Sequence, residues 1–293
     1  MPVFGNILFP VDFSDRCAQV ARYVAGIARK FNSKVTLLHA IGIYDGFRGA
    51  DLEGFAYAEW QGWMRGVSET QLAEFGKPCL DPFVIGRVVE EGEAAGVICD
   101  YAEDKAIDVI VMPTHGRGVF RRLLLGSVTS KVLHDTAIPV WTLAHVEQAA
   151  NGFSNGSGEV RKIVCAVDSV PESVRIIKAA SEIAGTYGAS IYLVHALPPP
   201  PAGPESYTMD TTLDAFLRDS AEGELNELQR QAGTAWEIRF GTGSVASVVK
   251  QTAADEAADL VIIGRGHIHG TFGRLRSNAS AIIRESPCPV LSF

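Results

Sequence analysis

Two kinds of apolar pattern alternate along this chain. Short unbroken runs such as Ile7-Leu8-Phe9, Val109-Ile110-Val111-Met112 and Leu260-Val261-Ile262-Ile263 read as strands buried on both faces. The stretches between them place apolar residues three or four apart, as amphipathic helices do. The first strand is predicted over residues 6–11 and ends at Asp12. Ser14 then caps a helix with Cys17, Val20, Ala21, Val24, Ile27, Ala28 and Phe31 on one face, Asp15 in its first turn and Arg29 and Lys30 in its last. A second strand is expected at 34–40. Residues 51–75 carry Leu52, Phe55, Ala56, Trp60, Trp63, Met64, Val67, Leu72 and Phe75 at helical spacing, and the tryptophan pair reads as packing against a sheet. Residues 82–85 read as a third strand and 88–105 as a helix weakened by Gly92 and Gly96. A fourth strand covers 109–112, a helix begins at Ser127, and 138–143 is a fifth strand.

Residues 146–159 have the glycine, serine and asparagine content of a linker, and beyond them the pattern starts again. Asp12 recurs as Asp168 and His39 as His195 at one and the same offset. The run that opens at Asp108 recurs from Asp259, and Ser127 with Pro139 recurs as Ser277 with Pro289, at slightly shorter offsets. A duplication with small length changes explains this. The expected organisation is domain 1 at 1–145, a linker at 146–159 and domain 2 at 160–293. In the second copy a proline-rich run at 198–204 opens a long loop. An amphipathic helix marked by Leu213, Phe216, Leu217, Leu225 and Leu228 follows, and Ser244 is placed as a later N-cap. Strand and helix alternate five times per unit, which defines an α/β fold with a parallel sheet covered by helices on both faces. Ligands in such sheets sit at the carboxyl ends of the strands, where strand order reverses. Asp12 and the 113–118 loop share one crevice if strands one and four are neighbours. The terminal strands 138–143 and 289–293 are expected at sheet edges.

Composition narrows the possibilities. With 293 residues and 47% apolar content the chain can bury two cores. It has no run of 18 apolar residues to span a membrane, and its start lacks a signal-peptide pattern. Five cysteines without CxxC spacing read as reduced core thiols, so a cytoplasmic location is expected. The formal charge of −8 argues against a nucleic-acid partner.

The candidate chemistry follows the fourth strand. Gly116, Gly118 and Gly126 allow backbone N–H groups near an anion, Ser127 offers a hydroxyl at a helix start, and Arg117, Arg121 and Arg122 raise the local potential. The competing reading makes the glycines a plain turn and Ser127 an ordinary N-cap. No GxxxxGK[ST] sequence is present, and neither a serine nucleophile elbow nor HExxH appears. His115 is the titratable side chain in the loop that could act as a base. His267 and His269 have no identifiable third metal ligand, and His39 and His195 read as structural hydrogen-bonding residues at strand ends.

Residues 7–14 (Ile-Leu-Phe-Pro-Val-Asp-Phe-Ser), 35–40 (Val-Thr-Leu-Leu-His-Ala), 108–118, 125–128 (Leu-Gly-Ser-Val) and 138–140 (Ile-Pro-Val) together resemble the universal stress protein family, as two UspA-type domains in one chain. The resemblance implies two Rossmann-like (adenine nucleotide alpha hydrolase-like) domains with strand order 3-2-1-4-5. It also implies a stress-response sensor or regulator that binds ATP, with or without Mg²⁺, through a GxxGx9G motif followed by Ser or Thr. Gly116, Gly126 and Ser127 match that motif, while Pro113 replaces its first glycine and removes one N–H donor. By the resemblance the nucleotide-binding residues are Asp12 near adenine and ribose, Ala40 by its backbone on the base, and Met112, Pro113, Thr114, His115, Gly116, Arg117, Gly118, Gly126, Ser127 and Val128 along the motif. For Asp12 the alternative is a carboxylate that caps the turn before the first helix.

The second unit departs further. Arg276 stands where Gly126 stands, so domain 2 is expected to have a degenerate site. The family pairs edge strands between domains, which implies an internal pseudo-dimer here, with a homodimer also open. Two other readings remain: an interaction protein without nucleotide, and a slow ATPase using His115.

Overall fold

In a computed structural model of the chain, the described residues are 4–42, 54–115, 125–143, 159–198, 206–265 and 274–293. They divide into two compact units, Met1–Gly158 and Glu159–Phe293. The first runs β1 (Asn6–Pro10), α1 (Asp15–Phe31), β2 (Lys34–Ile41), α2 (Gly54–Glu74), α3 (Lys77–Leu80), β3 (Val84–Glu91), α4 (Ala94–Asp104), β4 (Val109–Pro113), α5 (Ser127–Asp135) and β5 (Val140–Leu143). The second runs β6 (Lys162–Ala166), α6 (Ser173–Tyr187), β7 (Ser190–Leu197), α7 (Ser206–Ala232), β8 (Glu237–Thr242), α8 (Val245–Asp255), β9 (Leu260–Ile263), α9 (Arg274–Glu285) and β10 (Val290–Ser292). Pairing is parallel in the order β3-β2-β1-β4-β5 in the first unit and β8-β7-β6-β9-β10 in the second. Both units are α/β and Rossmann-like, with strand one beside strand four. Among the described residues no helix is long and apolar enough to cross a membrane.

The alternation of a strand explains why both sheet faces are covered. In the first unit Leu8, Leu38, Ile110, Met112 and Val140 join Ala95, Ile98, Cys99 and Ala102 of α4 and Val132 of α5 in one buried cluster. Their neighbours in sequence point the other way. Trp141, with none of its surface exposed, meets Tyr23 of α1 at 5.8 Å and Phe4 at 6.1 Å between ring centroids. Each fully buried side chain of this kind contributes about 1.5–3 kcal/mol.

One carboxylate in each unit fixes strand one against strand four. Asp108 Oδ2 accepts the Asn6 N–H at 2.7 Å while the Asp108 N–H donates to the Asn6 carbonyl at 2.9 Å. Asp259 repeats this on Arg161 and Lys162, accepting their N–H groups at 2.8 and 3.0 Å.

Several expectations are corrected. The predicted strand at 82–85 is β3, which pairs with β2 from Val35↔Val84 to Ile41↔Glu91, so Val88 to Glu91 are strand and not helix. Gly92, at φ +150°, ends it, and Glu93 starts α4 by accepting the N–H groups of Gly96 and Ala95 at 3.0 and 3.2 Å. The short α3 was not expected; it follows Gly76 at φ +70° and has Pro78 in its first turn. Trp63 and Phe216, read as packing residues, are 64% and 68% exposed. Leu52 and the linker positions 146–158 lie outside the described residues.

Candidate functional site

The crevice of the first unit forms because two strands part. β1 and β4 are paired only at Ile7↔Val109 and Leu8↔Ile110. Beyond that β1 stays with β2, the Val11 N–H reaching the Leu38 carbonyl at 2.8 Å, and β4 stays with β5 as far as Pro113↔Leu143. The carboxyl ends of β1 and β4 therefore diverge at the point where strand order reverses. Asp12 stands at one lip and Thr114 with His115 at the other.

On the β1 side, Asp12 Oδ1 accepts the Ser14 N–H at 2.9 Å and the Ser14 hydroxyl at 2.6 Å, and Ser14 Oγ in turn accepts the Cys17 N–H as the N-cap of α1. Asp12 thus does cap this turn, with one carboxylate oxygen. Ala40 lies on β2 beyond the last residue that β1 pairs, so its backbone borders the same opening. His39 Nδ1 donates to the Val11 carbonyl at 2.7 Å, and His195 Nδ1 to the Val167 carbonyl at 3.0 Å, which is the structural role expected of both. Burial, with the Asp12 carboxylate adding to it, pushes the Cys17 thiol up to about 12. It stays protonated and is no nucleophile. Cys17, Cys99, Cys165 and Cys288 are buried and Cys79 partly so, and all five are free thiols.

On the β4 side, Met112 and Val128 pack into or against the core with their side chains, so each can meet a ligand only through its backbone. The Ile110 and Thr114 N–H groups point to β5, at the Pro139 and Leu143 carbonyls. By strand alternation the nitrogen of Pro113 faces the β1 side, and the donor it lacks is one that would enter the crevice. Gly126 needs a correction: its N–H is donated to the Thr114 carbonyl at 2.8 Å and is not available to an anion. A Cβ there would lie 3.0 Å from the Thr114 oxygen and 3.5 Å from His115 Cα, so glycine is required for close approach. Ser127 is the first helical residue and not the N-cap; Gly126 holds that place and supplies no side-chain cap. The N–H groups of Ser127, Val128 and Thr129 consequently have no hydrogen-bond partner among the described residues. Thr129 adds a tie that sequence reasoning missed, its buried hydroxyl donating to the Pro113 carbonyl at 3.1 Å. The Thr114 hydroxyl is hydrogen bonded to His115 Nδ1 at 3.0 Å. Gly116, Arg117, Gly118, Arg121 and Arg122 lie outside the described residues.

The second unit does not part in the same way: β6 and β9 stay paired from Ile163↔Leu260 to Ala166↔Ile263, the ends of both strands. Gly264 stands where Pro113 stands, and Arg265, buried and with its N–H on the Phe293 carbonyl at 2.8 Å, stands where Thr114 stands. α9 begins at Arg274, three residues ahead of Ser277, whereas α5 begins at Ser127 itself. Ser277 is then the fourth residue of its helix and not the first. Gly266, His267 and His269 lie outside the described residues. Among the described residues no group of three or more His, Cys, Asp or Glu is placed to hold a metal ion.

The first unit is thus a doubly wound parallel sheet that parts between strands one and four, with an aspartate at one lip and, at the other, a helix start whose first amides have no partner among the described residues. The universal stress protein family matches residues 4–143 and 159–293, and the chain belongs to that family. A universal stress protein of Methanocaldococcus jannaschii is 30% identical over 149 residues, which cover 47% of this chain and 81% of that relative. The crystal structure of a universal stress protein from Archaeoglobus fulgidus shares the whole fold, with a TM-score of 0.67 at 20% identity over 98% of this chain and 95% of that one. A shorter universal stress protein from Archaeoglobus fulgidus, solved in complex with dAMP, is 24% identical over 45% of this chain and 96% of its own, with a TM-score of 0.35.

Proposed function

We propose that this chain is a cytoplasmic stress-response regulator that senses adenine nucleotide by binding ATP in its first unit, the matching site of the second unit being degenerate. The observation that carries this reading is the start of α5. Among the described residues three successive N–H groups at Ser127, Val128 and Thr129 have no partner and no side chain caps them, and Gly126 and Thr129 pin that helix end to β4 across from Asp12. A phosphate supplies the missing acceptors and gains from the helix dipole, and Arg117, Arg121 and Arg122 supply compensating charge. Asp12, Ala40, Met112, Pro113, Thr114, His115, Gly116, Arg117, Gly118, Gly126, Ser127 and Val128 are assigned to this site, His115 as a binding residue without a catalytic role. Mg²⁺ would accompany the phosphates. The absent donor at Pro113 weakens binding without removing it. The paired UspA-type repeats fit an intramolecular pseudo-dimer.

Calorimetric titration of the intact chain with ATP tests the reading. One site is expected, and Gly126→Arg, whose side chain would push against the Thr114 carbonyl and displace the start of α5, should weaken it at least about tenfold, or about 1.4 kcal/mol. Unchanged affinity in that variant would reject the assignment.

A further inference from the structure

The turn between β1 and α1 holds a bulky residue in a backbone conformation it rarely adopts. Phe13 has φ +60°, in the left-handed region, which for a large L side chain is an outlier. Such a residue persists when its surroundings over-determine it. The Phe13 ring lies 4.5 Å from the His39 ring between centroids, with 41° between planes, and meets Phe75 edge-on at 6.1 Å. His39 is itself held by its bond to the Val11 carbonyl. Turning the backbone at residue 13 has a local result: the N–H and hydroxyl of Ser14 fold back onto Oδ1 of Asp12.

The second unit differs at both turn positions, with Ser169 for Phe13 and Val170 for Ser14. His195 makes the same carbonyl bond, yet the matching residue beside Asp168 is Ser169, which is not among the positive-φ residues. The aromatic neighbour of His195 is Phe240, at 6.3 Å. There it is the backbone carbonyl of Asp168 that is bound, by the Ser173 hydroxyl at 2.7 Å. The histidine bond alone does not produce the clamped aspartate; the first unit adds both the aromatic residue at position 13 and the Ser14 hydroxyl.

We infer that Phe13 is a positioning residue of the first unit's nucleotide site, its ring packed against His39 holding the left-handed turn that fixes the Asp12 carboxylate at the mouth of the crevice. This inference rests on the nucleotide reading above. Because Asp12 is assigned to the nucleoside and the α5 amides to the phosphates, loss of Phe13 should separate the two halves of the ligand.

The test uses the intact chain with Phe13→Ala, Phe13→Gly and Phe13→Tyr, each checked for folding by circular dichroism. Ser14 amide exchange is followed by NMR without ligand, and ATP, adenosine and inorganic triphosphate are titrated by calorimetry. In Phe13→Ala the Ser14 amide should exchange about tenfold faster, and ATP and adenosine should bind about tenfold more weakly, the scale of one hydrogen bond to a charged group. Inorganic triphosphate should bind as before, a split that general destabilisation of the unit would not produce. Phe13→Tyr should retain wild-type behaviour. Phe13→Gly, which accepts the backbone angle but lacks the ring, should behave as Phe13→Ala. Wild-type exchange and affinity in Phe13→Gly or Phe13→Ala, or equal loss of all three ligands, overturns the positioning role alone. A wild-type chain that binds no ATP overturns the nucleotide reading and this role with it.

Discussion

The carboxyl ends of strands one and four differ between the units: β1 and β4 part after Leu8↔Ile110, while β6 and β9 stay paired to Ala166↔Ile263. The first unit has Pro113 at the end of β4 and, among the described residues, no partner for the first amides of α5; the second has Gly264 at the matching place, and α9 begins three residues ahead of Ser277. On the opposite lip the first unit clamps Asp12 through Ser14, while the second binds Asp168 by its backbone carbonyl. The difference teaches that glycines alone do not decide which backbone amides are offered at the carboxyl ends of the strands. What matters is where the helix starts and what holds that start in place.

The tie between Thr129 and Pro113 is where that lesson can be broken most readily. Its counterpart in the second unit is Ala279, which is buried but has no hydroxyl to give. Thr129→Val keeps the shape and removes the donor, leaving the buried Pro113 carbonyl without that partner, at a cost of about 1–3 kcal/mol. Denaturant unfolding should report that loss, and ATP affinity should fall with it as the α5 amides lose their anchor. Full ATP affinity in a measurably destabilised Thr129→Val would show that the helix start needs no such anchor.

A milder comparison concerns the caps of α4 and α8. Glu93 and Ser244 occupy matching positions at the two helix starts, Glu93 accepting two N–H groups and Ser244 one, from Ser247. Lys131, whose ammonium lies 2.8 Å away, and the bonded amide of Gly96 hold the Glu93 carboxyl below its ordinary 4.5, with the Ala95 amide helping. A carboxyl lowered in the folded state stabilises at pH values above the unfolded value, and that contribution is lost as pH falls through the folded value. Ser244→Ala should cost about 1 kcal/mol at neutral and acid pH alike. Glu93→Ala should cost somewhat less at neutral pH, since the side chain is largely exposed and screened, and nothing once the carboxyl is protonated. Unfolding curves at pH 7 and pH 3 distinguish the two; a Glu93→Ala penalty that survives in acid would count against the cap.

Much of this was legible in the sequence because it is local. The strand positions, the Ser14 and Ser244 caps, the matched aspartates and the roles of His39 and His195 follow from runs, periods and turn chemistry. The parts that were not legible depend on what lies across the fold. Val88 to Glu91 fit a helix until β2 offers a ladder, and Gly92 then supplies the turn. Gly126 reads as a free donor until the Thr114 carbonyl is found in front of it, and Thr129 carries no local sign that its hydroxyl reaches Pro113.

The smallest expected effect concerns the tryptophan whose sequence position suggested packing. Trp63 is 64% exposed, while Ser68 and Leu72 of the same helix are buried. Leu72 is nine positions on, half a turn out of phase, so Trp63 lies on the opposite side of α2. The second unit repeats the arrangement with Phe216 exposed and Ala221 and Leu225 buried, at one common offset. A side chain that removes little apolar surface from water contributes little to folding. Trp63→Ser should therefore shift unfolding by less than about 0.5 kcal/mol, and so should Phe216→Ser. Acrylamide should also remove a large share of the wild-type tryptophan emission, a share that disappears in Trp63→Ser. A loss of about 2 kcal/mol or more in Trp63→Ser would return the residue to the core, where its helical spacing first placed it.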